Sequence, residues 1–310
     1  MAKALPILDV APETPLGAFA ARVIEIRAGE VQELLGAPSH NGGAKRVHDR
    51  RVALRRLRTA IEVFSPALPR QAKRVRRELK GSFAALGARR DADVAIEALR
   101  ALEPELAVAD RPGLQSLLAA FDAEGAEGGF DVDAALRAGE GAALLAASAR
   151  ERGGPPAAEA LRAAAARRMA EVAGGLGALE NPRDSKALHN LRLAAKRLRY
   201  VLQSASPALG QPALDGAKVA RELQTVLGDL HDYDVLLPRV AAHRRSLRAE
   251  DVAAVRRGKR APNATRYRGI QTIETRLRAR RAALREHATA RRSAIAEQLD
   301  RAAAGLELPR

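Results

Sequence analysis

The chain has no cysteine and no tryptophan, and aromatic side chains make up only 3% of its 310 residues. Without thiols it can form no disulfide, thiolate nucleophile, zinc ribbon or iron–sulfur cluster. With so few aromatics, the 47% of the chain that is hydrophobic is dominated by Ala, Leu and Val. A core of that kind is best built from closely packed helices. No stretch approaches the roughly 18 apolar residues of a membrane span. The opening MAKALPILDVAPETP also lacks the apolar centre of a secretory signal, so the chain reads as a soluble cytoplasmic protein. β-Branched alternation is absent, which leaves no convincing strand and makes an all-α fold the expectation. HExxH, GxSxG, the Walker-type GxxxxGK[ST] and a Gly-rich dinucleotide fingerprint are missing too, and the six histidines are scattered. The sequence therefore nominates no catalytic residue, no metal ligand and no cofactor.

What the chain has in excess is positive charge. Its 53 Lys and Arg outweigh 37 Asp and Glu, for a formal net charge of +16 and a pI near 11.1. This exceeds what solubility needs and implies a polyanionic partner: nucleic acid, a phosphate polymer or an anionic membrane. The charge is also patterned. KRVHDRRVALRRLR begins at Lys45 and KALHNLRLAAKRLR at Lys186, an offset of 141 residues. LGARRDADV at Leu86 and LGDLHDYDV at Leu227 keep the same offset. The chain is an internal duplication, predicted to form repeat 1 over 14–150 and repeat 2 over 156–305, after a flexible lead at 1–13.

At about 100° per residue, Lys45, Arg51, Arg55, Arg56 and Arg58 fall around His48, while Val47, Leu54, Leu57 and Ile61 gather opposite. In the second copy Lys186, Arg192, Lys196, Arg197 and Arg199 surround His189, and Leu188, Leu191, Leu198 and Leu202 form the apolar stripe. Arg50 is the exception, standing where the second copy has Leu191. Stacked like charges repel by a few tenths of a kcal/mol per pair, so each stripe needs an offsetting partner. Acidic neighbours such as Glu78, Asp91, Asp93, Glu222, Asp232 and Asp234 are one candidate, and a bound polyanion is the other. Lys73, Arg76, Arg77 and Lys80 add cations on the following helix, whereas repeat 2 keeps only Lys218 and Arg221 there.

Breakers predict helices over 15–35, from the basic segment to about Phe64, 69–86 ended by Gly87, and 91–104 capped by Asp91, with a further helix at 113–124. The Gly- and Ala-rich stretch 122–156 reads as an acidic, partly helical connector. Repeat 2 is predicted as 158–179, 184–205, 212–227, 231–248 and one long Arg-rich helix over 266–305, with a basic loop around Lys259. The DxDV pairs, Asp91 with Asp93 and Asp232 with Asp234, read as helix caps and ion-pair partners.

His48, Arg51, Val52, Arg55, Arg56, Leu57 and Arg58, followed by Leu86, Gly87, Arg90, Asp91, Asp93 and Val94, resemble the hallmarks of the CHAD (conserved histidine α-helical domain) family. His189, Arg192, Lys196, Arg197, Leu198, Arg199 and Tyr200 resemble the corresponding form of the second copy, although His231 stands where the pattern has Arg90. The resemblance covers about 14–305. It implies two tandem pseudo-symmetric helical bundles, chiefly four-helix, with a basic groove or pore at their junction. It also implies non-catalytic binding of inorganic polyphosphate, with association to polyphosphate granules. By position, Lys45, His48, Arg51, Arg55, Arg56, Arg58, Lys73, Arg77, Lys80, Lys186, His189, Arg192, Lys196, Arg197, Arg199, Lys218 and Arg221 are then the expected polyphosphate-binding residues. A nucleic-acid-binding protein is the alternative, disfavoured by the shortage of stacking aromatics. A polyphosphate hydrolase would need a carboxylate-bound metal that the sequence does not show.

Overall fold

The computed structural model describes residues 5–36, 43–125, 131–181 and 184–308, with the side chains of 43–48, 82–91 and 125 outside the description. Among the described residues there is no strand, and the chain is all-α. Ten helices follow in order: α1 Leu16–Gly36, α2 Gly43–Val63, α3 Ala72–Arg100, α4 Arg111–Gly125, α5 Val132–Arg152, α6 Ala157–Gly175, α7 Ser185–Leu209, α8 Gln211–Arg256, α9 Tyr267–Ala290 and α10 Arg292–Gly305. Among the described residues no helix is long and apolar enough to cross a membrane.

Three cores hold these helices. The first lies between α1, α2, the start of α3 and α5, around Phe19, Leu57, Ile61, Phe64 and Leu79. The second lies between α6, α7, the start of α8 and α10, around Leu188, Leu198, Leu202 and Leu223. A third belongs to both repeats. The far end of α3 and α4 pack against the middle of α8 and the start of α9 through Leu99, Leu117, Phe121, Leu236, Val240 and Ile273. Each such fully buried side chain contributes roughly 2 kcal/mol of transfer free energy, so the repeats are joined by a shared core as well as by their junction.

The duplication continues in the backbone. Leu16 N–H donates to the Pro155 carbonyl at 2.9 Å and Ala157 N–H to the Thr14 carbonyl at 2.9 Å. Pro15 and Pro156, which face each other in this short antiparallel bridge, are themselves separated by the 141-residue offset. Farther along the offset widens to 156 residues, because α8 runs on to Arg256 whereas α3 stops at Arg100. Gly113 of α4 and Gly269 of α9 are mates at that new offset, and there the two helices cross backbone to backbone. A Cβ on Gly113 would stand 2.5 Å from Ile270 N, and one on Gly269 would overlap the Asp110 carbonyl.

Three sequence expectations are corrected. The helices predicted at 69–86 and 91–104 are one helix, α3, and those at 212–227 and 231–248 are one helix, α8. Gly in a helix interior costs only about 1 kcal/mol, less than α8 gains by burying Leu223 and Leu227 in one core and Leu236 and Val240 in another. Asp91 is therefore not a helix cap. The presumed connector is mostly α5, whose Ala135, Ala138, Ala142, Ala146 and Ala149 are buried at helical spacing, so its small residues serve close packing. The long C-terminal helix is divided at Arg291, which lets α9 supply the shared core and α10 the second core.

Beyond the shared core, the basic loop after α8 is tied back by a polar cluster. Asn263 donates from its backbone N–H and side-chain amide to Asp251 Oδ1 at 3.0 and 2.9 Å, and the Tyr267 hydroxyl donates to Asp251 Oδ2 at 2.7 Å. Burial, reinforced by Asp251, pushes the Tyr267 hydroxyl up to about 12.

His243 of α8 shares a 2.9 Å hydrogen bond with Ser116 of α4, and burial lowers its pKa below the ordinary value. The unfolded chain then binds this proton more readily than the folded one, so the stabilising contribution is full above the unfolded pKa and is lost as pH falls towards the folded pKa. The melting temperature of His243→Gln should accordingly fall less than that of the wild type on going from about pH 7 to about pH 5. Equal falls would show that the histidine is not the sensor.

Candidate functional site

α2 and α7 carry the repeated basic segments, and each is held by its apolar stripe. Leu54, Leu57 and Ile61 face the first core, and Leu188, Leu191, Leu198 and Leu202 the second. Asp184 caps α7 by accepting from Ala187 N–H at 2.8 Å. The two helices pack against each other, and their cationic faces meet there.

Lys196 and Arg199 mark the centre. Burial lowers the pKa of both. Tyr200 opposes this in each case, while Arg58, Arg192 and Arg55 depress Lys196 further, and Arg55 and Arg221 depress Arg199. Six cations from α2, α7 and α8 are therefore within mutual electrostatic reach. Among the described residues no carboxylate is a leading influence on Lys196 or Arg199; the opposing group is Tyr200, which hydrogen-bonds Arg199 and whose ring centroid lies 4.7 Å from the Arg199 guanidinium carbon and 6.0 Å from Lys196 Nζ. The Nε atoms of Arg192 and Arg199 are buried without a hydrogen-bond partner. Uncompensated buried donors and cations are costly and call for an anion.

Several arginines elsewhere are paired with carboxylates. Arg150 pairs with Glu25 at 2.8 Å, Arg239 with Glu124 at 2.6 Å and Arg292 with Glu180 at 2.7 Å. Three of the six acids expected to neutralise the stripes are used in the same way. Glu78 pairs with Arg74 at 3.5 Å, Glu222 with Arg291 at 3.2 Å and Asp234 with Arg281 at 2.6 Å. The Asp234 pair ties α8 to α9, which gives that member of the DxDV motif a structural role.

The seventeen residues nominated from sequence separate into groups. Arg55, Arg58, Arg192, Lys196, Arg199 and Arg221 converge, and Arg51 and His189 lie half-buried on the same two helices. Arg56 is drawn towards α1, where its guanidinium is 3.9 Å from the buried Glu30 carboxylate. Arg197 stands on the α6 side of its helix, beside Arg167 and Arg168. Lys73, Arg77, Lys80, Lys186 and Lys218 are exposed. The Lys45 and His48 side chains lie outside the described residues. One member had only an indirect signal in the sequence: His231 of α8 sits with its ring centroid 5.1 Å from that of His189, at the position that departs from the RDxDV pattern.

The fold is that of a known family. The model of the CHAD domain matches residues 31–241, so the chain belongs to the CHAD family. Two solved structures share the fold. The CHAD domain from the plant Ricinus communis is 19% identical with a TM-score of 0.58, and the match covers 98% of this chain and 96% of that one. PptA from Streptomyces chartreusis is 17% identical with a TM-score of 0.56, and the match covers 90% of this chain and 99% of that one. No curated protein matches the chain.

Proposed function

We propose that the protein binds inorganic polyphosphate, without chemistry, in the cleft where the cationic faces of α2 and α7 meet. The observation that carries this reading is the half-buried cation cluster around Lys196 and Arg199, on which no described carboxylate is a leading influence, with two guanidinium Nε atoms left without acceptors. A phosphate chain supplies what the cluster lacks: acceptor oxygens for the guanidinium forks and negative charge repeated along its length. Membership of the CHAD family, linked in general to polyphosphate and triphosphate binding, supports the same ligand. The exposed Lys73, Arg77, Lys80, Lys186 and Lys218 would extend the track for a long chain, and attachment to polyphosphate granules would follow from such binding. Among the described residues no group of His, Cys, Asp and Glu could hold a metal ion.

Competition tests the reading. Protein bound to immobilised long-chain polyphosphate is challenged with free polyphosphate, duplex DNA and tripolyphosphate at one ionic strength, while phosphate release is followed. Free polyphosphate should displace the protein, DNA should do so only at much higher phosphate concentration, and no phosphate should be released. Displacement by DNA at equal phosphate concentration would favour a nucleic-acid partner, and steady phosphate release would make the protein a hydrolase. Because binding neutralises several phosphates, affinity should also fall steeply with salt.

A further inference from the structure

Arg192 is shared between the cationic junction and a second feature, a cavity of about 840 Å³ enclosed by α3, α8 and α9. Its size is that of a site for a small organic ligand. Its lining does not suit a phosphate chain. Ala95, Ala98, Leu236 and Leu284 make much of the lining apolar, and Tyr233 and His231 add flat rings to it. Two cations of the rim are already engaged: Arg239 pairs with Glu124 at 2.6 Å, and Arg280 is bound to Glu105. Asp229 lines the cavity together with Glu97 and Asp232, and burial raises its pKa. The lining thus offers a buried Arg192 Nε without an acceptor and a set of carboxylates, Glu97, Asp229 and Asp232.

A ligand that satisfies both has a phosphate tail for Arg192 and a flat, largely apolar head that carries N–H or O–H donors for the carboxylates. We propose that this cavity is the base and ribose subsite of a nucleoside polyphosphate, with the phosphates passing over Arg192 onto Lys196 and Arg199. The proposal rests on the reading of the α2–α7 junction as a phosphate site and adds a second ligand class to it. Stacking on the aromatic and imidazole faces contributes about 1–3 kcal/mol per base, equivalent to roughly five- to a hundredfold in affinity.

Calorimetric titration with ATP and with tripolyphosphate, without divalent cations, separates the two sites. Tripolyphosphate carries more charge than ATP, so the junction alone would bind it better. In the wild type ATP should bind about tenfold more tightly than tripolyphosphate. Ala283→Trp, a change at an exposed position of the cavity wall, should abolish that advantage and leave tripolyphosphate binding unchanged. Ala98→Leu should reduce the advantage from the opposite wall, and Lys196→Glu should weaken both ligands together. The subsite is refuted if ATP binds no more tightly than tripolyphosphate, or if its advantage survives both cavity substitutions. Binding of long polyphosphate but of neither small ligand would refute the subsite alone. Failure of all three ligands would refute the phosphate junction with it.

Discussion

Replacing Arg55 and Lys196 together by glutamate is expected to lower affinity for long-chain polyphosphate by at least about a hundredfold, since two charge-assisted contacts are each worth about 1.5–3 kcal/mol. The same protein should fold at least as well as the wild type. Lys196 is half-buried among Arg58, Arg192 and Arg55, and no described carboxylate is a leading influence on it, so a carboxylate placed there gains cationic partners. The neutral Lys196→Met should show the trade-off more simply, with weaker binding and about 1 kcal/mol greater stability, because an uncompensated buried charge has been removed. Binding measured by fluorescence anisotropy and stability measured by urea denaturation are then expected to move in opposite directions. A structural lysine would instead show loss of stability with binding unchanged. Exposed surface cations would show little effect on either.

The largest effect on the fold is expected at the crossing of α4 and α9. At Gly269 a methyl group would meet the Asp110 carbonyl group, with its carbon 2.8 Å away. Both neighbours are backbone, so neither can rotate aside. Gly269→Ala should cost about 3 kcal/mol through forced separation of the helices, and Gly113→Ala should have a similar effect because it stands in the mate position. Gly29→Ala provides the contrast: no atom lies within 4 Å of the added Cβ inside α1, and the change should add up to about 1 kcal/mol through helix propensity. Thermal melts of the three variants test this ordering. Unchanged stability of Gly269→Ala would mean that the shared core does not join the two repeats as described.

These two sites differ in how far they could be read from the residues. The angular division of α2 and α7 into an apolar and a cationic stripe is visible because both segments recur at one offset with few changes. Their meeting is not visible, since it depends on how two helices 141 residues apart pack, and only the family resemblance implied a common groove. Gly113 and Gly269 went unnoticed because the extra turns of α8 shift their offset from 141 to 156. Helix boundaries failed where local preference and packing disagree. Gly228 sits where a breaker is expected, yet α8 passes through it, since Leu227 and Leu230 on either side are both buried. The alanines and glycines of α5 failed for the opposite reason: small residues mark flexible linkers and tight helix contacts alike, and only the buried face at helical spacing distinguishes them. Arg56 lay within the cationic stripe by angle, but the buried Glu30 on α1 drew it aside.

The half-buried cations at the α2–α7 junction are proposed to hold a phosphate chain, and a crystal structure of the protein with a short polyphosphate tests this most directly. The account predicts phosphate oxygens within hydrogen-bonding distance of Arg192 Nε and Arg199 Nε, with Lys196 and Arg55 closing on the same chain. Phosphates bound elsewhere, for example on the exposed arginines at the far end of α8, with both Nε atoms still lacking an acceptor, would contradict it.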